Sequence, residues 1–153
     1  MAASIPIIRL YGVLLVAIQV ELSDELVKSL RSDLGREIQT GDVRGVVLEL
    51  SGVDTFDTYI ARSLRDIAQI AKLMGVKTVI TGLDPGIAIT LVEMGMQLEG
   101  VFTTLSLETA LAMLLPHKLE AERRRAPDDG LVLDEANRVD DELFDLDELD
   151  EAT

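Results

Sequence analysis

Apolar and polar residues follow two different periods along this chain, and the switches between them predict its elements. Two apolar runs, Ile5-Pro6-Ile7-Ile8-Arg9-Leu10 and Val13-Leu14-Leu15-Val16-Ala17-Ile18, flank Tyr11-Gly12. Gly12 supplies a tight turn, so the pair reads as a β-hairpin. Ser23 caps a helix with Asp24 and Glu25 in its first turn, where negative charge is favoured. Leu26, Val27, Leu30, Leu34 and Ile38 then recur at helical spacing until Thr40-Gly41. Gly45 to Leu50 is almost unbroken apolar, as in a strand covered on both faces. From Thr58 to Met74 the period returns to 3.6, with Ile60, Leu64, Ile67, Ala68 and Ala71 on one face and Arg62, Arg65, Asp66, Gln69 and Lys72 on the other. Gly75 ends that helix. Val76 to Thr81 is a strand. Asp84-Pro85 caps and opens a short helix through Ile87, Thr90, Leu91 and Met94 that stops at Gly95. Val101 to Thr103 is a last strand, and Ser106 caps a final helix through Leu114, broken at Pro116.

The predicted order is β-β-α-β-α-β-α-β-α. Alternating βα units make an α/β protein with a mixed, mostly parallel sheet, an initial hairpin and about four helices, its crossovers right-handed. Residues 1–117 form this domain. Beyond it, Ala121 to Gly130 reads as a charged linker, and residues 118–153 as an acidic tail whose composition predicts disorder. Leu131-Val132-Leu133 and Leu143-Phe144-Asp145-Leu146 are small apolar islands in that tail. They fit short anchors for a partner, or a tail that only solubilises.

Charge sharpens this division. Residues 1–118 carry 10 Lys and Arg against 14 Asp and Glu, whereas residues 119–153 carry 4 against 14. A mildly acidic domain with a strongly acidic tail opposes nucleic-acid binding, which relies on cations neutralising phosphates. The chain has no cysteine, so thiolate sites and disulfides are excluded; its one histidine, His117, leaves little for a metal or a His-based general base, and no Ser-His-Asp or Cys-His set can be assembled. No run approaches the ~20 apolar residues of a membrane-spanning helix. The start Met1-Ala2-Ala3-Ser4 lacks the basic opening of a signal peptide. A soluble, cytoplasmic protein without a cofactor is expected.

The candidate chemistry centres on Asp54-Thr55-Phe56-Asp57-Thr58. Thr58 sits where the second helix begins, so its hydroxyl lies beside unpaired backbone N–H groups and can face solvent. It either caps the helix or is modified there. A phosphate between Asp54 and Asp57 would form a dense anionic patch, tolerated by the helix N-terminus but repelled by the carboxylates and by an acidic partner. Two other roles remain open for these acids: an aspartyl nucleophile, although D-x-x-D is not the D-x-D-x-T spacing, and a Mg²⁺ cluster of Asp54, Asp57 and Asp84. Thr81-Gly82-Leu83-Asp84-Pro85-Gly86 is a further loop able to cradle a phosphate, though it is no G-x-x-x-x-G-K-[ST] motif. Thr81 is either a second modified hydroxyl or an ordinary strand-end threonine. His117, beside Pro116, fits a helix-end dipole partner better than a ligand.

Three stretches carry a resemblance. Asp57-Thr58 at the strand-to-helix turn, Leu73-Met74-Gly75, and the long block from Thr81 to Gly95 (TGLDPGIAITLVEMG) resemble the STAS-domain proteins of the anti-anti-sigma class. Within that class they are most similar to the RsbS type, small scaffolds of the bacterial stressosome. The resemblance covers roughly Ile5 to Leu115. It implies the STAS fold, no catalysis, and assembly with RsbR-like STAS paralogues into a homo-oligomer or large hetero-oligomer. It also implies capture of an RsbT-like serine/threonine kinase, released on phosphorylation of the scaffold. The family's phosphoacceptor falls on Thr58, with a minor second site at Thr81. Asp54, Asp57, Thr58, Tyr59 and Arg62 would then meet the kinase. Three alternatives stand beside this: a small-ligand or nucleotide-binding module using the Thr81–Gly86 loop, an antagonist that binds an anti-sigma kinase directly, and a structural shell component without switching. The acidic tail departs from the family pattern.

Overall fold

The computed structural model describes residues 4–125, which form five strands and five helices. The chain divides into a first unit, Met1–Leu119, and a second, Glu120–Thr153. The first holds one sheet with its strands in sequence order, β1-β2-β3-β4-β5. Strand β1 (Ile7–Leu10) pairs antiparallel with β2 (Val13–Ala17). The two-residue turn between them has Tyr11 at φ 51° and Gly12 at φ 83°. Both central residues are left-handed, the geometry whose twist matches a hairpin's. Strands β3 (Gly45–Glu49), β4 (Lys77–Thr81) and β5 (Val101–Thr104) add in parallel.

The strand order fixes where the helices go. Each parallel crossover steps one strand further in the same direction, so right-handed connections put α1 (Asp24–Gln39), α2 (Thr58–Leu73) and α3 (Pro85–Glu93) on one side. Alternation along the strands then splits the core. Leu14, Val16, Val46, Leu48 and Ile80 face Leu30, Leu34, Leu64 and Ile67 of α1 and α2. Val13, Val47 and Val79 point the other way, onto Ala110 and Leu114 of α4 (Leu107–Leu114). Ala61 of α2 packs with Ile87 and Leu91 of α3. Close packing of α4 explains Gly45: a Cβ there would lie 2.5 Å from Leu114 Cδ2.

One element was not foreseen. Pro116 ends α4 but opens a fifth helix, α5 (Pro116–Arg125), in which proline at the first position costs no hydrogen bond. The first part of the expected charged linker, Ala121 to Arg125, is therefore helical, and His117 lies in the first turn of α5 rather than at a C-terminal end. The remainder of the linker and both apolar islands lie outside the described residues. Among the described residues no helix is long and apolar enough to cross a membrane.

Candidate functional site

Three βα turns meet at the carboxyl ends of β2, β3 and β4. Leu50 N–H donates to Thr81 O at 2.9 Å, which extends the β3–β4 ladder one residue past the strands. Glu49 Oε1 accepts from Ser51 N–H at 2.9 Å and Val53 N–H returns to Leu50 O at 2.9 Å, so the chain turns sharply at once. Half-buried Phe56 then pins the turn to the core. Asp57, in extended backbone at φ −120° and ψ 177°, caps α2: its Oδ1 accepts from Ile60 N–H at 2.8 Å. A cap of this kind contributes roughly 1 kcal/mol.

Asp57 and not Thr58 is thus the cap, and this decides the fate of the next hydroxyl. Thr58 is the first residue of the helix and is exposed. Its Oγ1 is not needed by the helix backbone and instead donates to Met94 Sδ at 3.4 Å. Tyr59 beside it is 38% exposed. Its phenol is held above its ordinary pKa of 10.0, chiefly by the hydrogen-bonding influence of Asp24 and then by desolvation, with Ser63 opposing. Arg62 is exposed one helical turn beyond Thr58, the i, i+4 position on the same side of α2. Asp54, also exposed, lines a groove of ≈ 250 Å³ with Gln19, Glu21, Gly52, Thr55 and Ile60. Asp54, Asp57, Thr58, Tyr59 and Arg62 therefore share the end of α2 and the turn that feeds it.

Other expected chemistry does not assemble. Thr81 is 1% exposed, and its Oγ1 has no hydrogen-bond partner. No kinase reaches that hydroxyl without opening the end of β4. Asp84 caps α3 by accepting from Gly86 N–H at 2.7 Å, which takes up a donor that a phosphate in the Thr81–Gly86 loop would need. With Asp57 and Asp84 both capping helices, Asp54, Asp57 and Asp84 do not gather; among the described residues no group of three potential metal ligands forms. The Asp57 carboxylate, bound to the helix backbone, is likewise a poor nucleophile.

Sequence reasoning missed one contact here. Met94 reaches Thr58 across 36 positions. Met94 lies inside the block from Thr81 to Gly95 that carried the resemblance, but nothing in its spacing points to Thr58.

The sequence profile of the STAS domain matches residues 4–110. A serine-to-glutamate variant of RsbS from Moorella thermoacetica superposes with a TM-score of 0.63 at 34% identity, covering 77% of this chain and 97% of that one. A chain from the molecular architecture of the stressosome, described as a signal integration and transduction hub, gives 0.64 at 34% identity, covering 76% and 98%. The Bacillus subtilis RsbT co-antagonist protein RsbRD is 40% identical over 65 residues, 42% of this chain and 23% of that protein. This chain thus spans about a quarter of the length of the co-antagonist relatives it matches.

Proposed function

The chain belongs to the STAS-domain family, and from that premise we propose that it is a cytoplasmic, non-catalytic stress-signalling scaffold of the RsbS type. In this reading it assembles with RsbR-like paralogues, holds an RsbT-like serine/threonine kinase, and lets it go when Thr58 is phosphorylated. The observation that carries the reading is the exposed Thr58 hydroxyl on the first residue of α2, held off the helix backbone because Asp57 already caps it. The 34% identity to RsbS across nearly the whole of that chain supports the type.

The mechanism follows from charge at a rigid address. The kinase supplies ATP, Mg²⁺ and the base that accepts the hydroxyl proton. This chain supplies the nucleophilic oxygen and a fixed approach. The phosphate brings about −1.5 to −2 charges at neutral pH. It lands beside Asp57 and near Asp54, where carboxylates repel it. The N-terminus of α2 and Arg62, one turn on, offset part of that cost within the scaffold. A kinase surface that fits the unmodified turn meets the full repulsion, so the modification falls mainly on the complex and not on the fold.

Pull-down of the cognate kinase tests this. Thr58→Ala is expected to retain it through incubation with ATP, while Thr58→Asp captures it at least tenfold more weakly. Equal retention by the two variants, or an intact mass unchanged by kinase and ATP in the native chain, overturns the proposal.

A further inference from the structure

The Thr58 hydroxyl, although exposed, is engaged by a sulfur. Met94 is the C-cap residue of α3, where its backbone N–H closes the last turn onto Thr90 O and Val92 O. Its side chain is 37% exposed and its Sδ accepts the Thr58 hydroxyl at 3.4 Å. A thioether is a weak acceptor, so this hydrogen bond orients the hydroxyl but surrenders it easily. A sulfoxide is a different group: polar, chiral, and carrying an oxygen that accepts strongly. The exposure of Met94 lets a small oxidant reach the sulfur, and the 3.4 Å contact brings the oxygen of one sulfoxide epimer within reach of Thr58.

We propose that Met94 is an oxidation site that governs the reactivity of Thr58, so that a peroxide-class oxidant locks the hydroxyl in place. The inference rests on the reading of Thr58 as a phosphoacceptor. The chemistry balances simply. A sulfur lone pair forms an S–O bond with one peroxide oxygen as the O–O bond breaks. The other oxygen leaves as hydroxide and takes the hydrogen of the transferred oxygen to become water, so sulfur is oxidised by two electrons and the peroxide is reduced. The Thr58 proton then sits in a hydrogen bond to the sulfoxide oxygen, which must be broken before the kinase's base can take that proton as the oxygen of Thr58 attacks a phosphoryl group. Sulfoxide reductases reverse the step. The scaffold would in this way retain its kinase under peroxide, a brake on the release that phosphorylation brings.

Met74, 38% exposed, and Met113, 47% exposed, serve as internal controls, since both are open to oxidant and the Thr58 hydroxyl bonds to Met94 instead. The full chain and its Met94→Leu variant are treated with hydrogen peroxide, the oxidised methionines are identified by peptide mass, and Thr58 phosphorylation by the cognate kinase is timed. Phosphorylation of the native chain is expected to slow about tenfold after oxidation, as loss of one good hydrogen bond implies. The Met94→Leu chain should keep its own rate with Met74 and Met113 oxidised, and a sulfoxide reductase should restore the native one. An unchanged native rate with Met94 oxidised overturns the inference, as does oxidation of Met74 and Met113 that spares Met94. Should the kinase leave Thr58 unmodified even in the reduced chain, the proposed function fails separately. Methyl NMR then decides the contact itself: oxidation of Met94 must shift the Thr58 methyl resonance, and an unmoved Thr58 signal sinks the idea.

Discussion

Thr58 and Thr81 bear the same hydroxyl at the ends of the same pair of βα units, and their surroundings separate them. The pattern of apolar residues located the helix start but not which residue would cap it. Asp and Thr cap comparably well, so Asp57-Thr58 reads either way in sequence. Only the backbone of the turn, extended at Asp57, settles the choice and leaves Thr58 outside the cap. Thr81 illustrates the reverse: β-branched residues suit strands whether their hydroxyls are sealed or open, so its burial was not legible. Tyr59 offers a direct measurement at this scale. The folded chain holds the phenolic proton more tightly than the unfolded chain does. Its contribution to stability is therefore complete below the unfolded value of about 10 and is lost as pH rises through the higher folded value. In a Tyr11→Phe background the absorbance titration of Tyr59 should have its midpoint above 10.0. Asp24→Ala should bring it down, and a midpoint indifferent to Asp24 would refute that carboxylate as the cause.

Elements were read more faithfully than sites, because burial imposes a period that many residues share. The apolar face expected of the second helix, Ile60, Leu64, Ile67, Ala68 and Ala71, is buried throughout. The hairpin formed around Tyr11-Gly12 as expected, since a two-residue turn fixes its register. The fifth helix was missed for a physical reason: proline marks both the end of one helix and the first turn of another, and Pro116 does both. Close contact between elements leaves its own trace, as at Gly45, whose missing side chain admits Leu114 of α4 to the sheet. Gly45→Val should destabilise the domain by about 1–3 kcal/mol in urea unfolding, the usual cost of overpacking. Leu114→Ala in the same chain should relieve part of that cost, so the double variant is less destabilised than the sum of the singles. Strict additivity would mean that α4 does not press on β3 there.

At the scale of the whole domain, the surface that the core leaves over is uneven. Helix α3 buries Ile87 and Leu91 but presents Ile89, 59% exposed, and Val92, 79% exposed, to solvent. Clustered exposed apolar residues mark interaction surfaces more often than chance. If the chain assembles with RsbR-like paralogues, Val92→Asp should abolish co-elution with them in gel filtration while changing stability by less than about 0.5 kcal/mol, as for a surface position. Co-assembly undiminished by that charge would place the contact on another face. The direction of β1 has a practical consequence for such experiments. Being antiparallel, it starts at the rim where Thr58 lies and ends in the Tyr11-Gly12 turn, beneath which Lys118 rests on the Tyr11 ring at 4.1 Å. An affinity handle joined ahead of Ile5 would crowd the rim that carries Thr58, whereas a fluorophore carried on the Tyr11-Gly12 turn would ride at the opposite pole and leave that rim open.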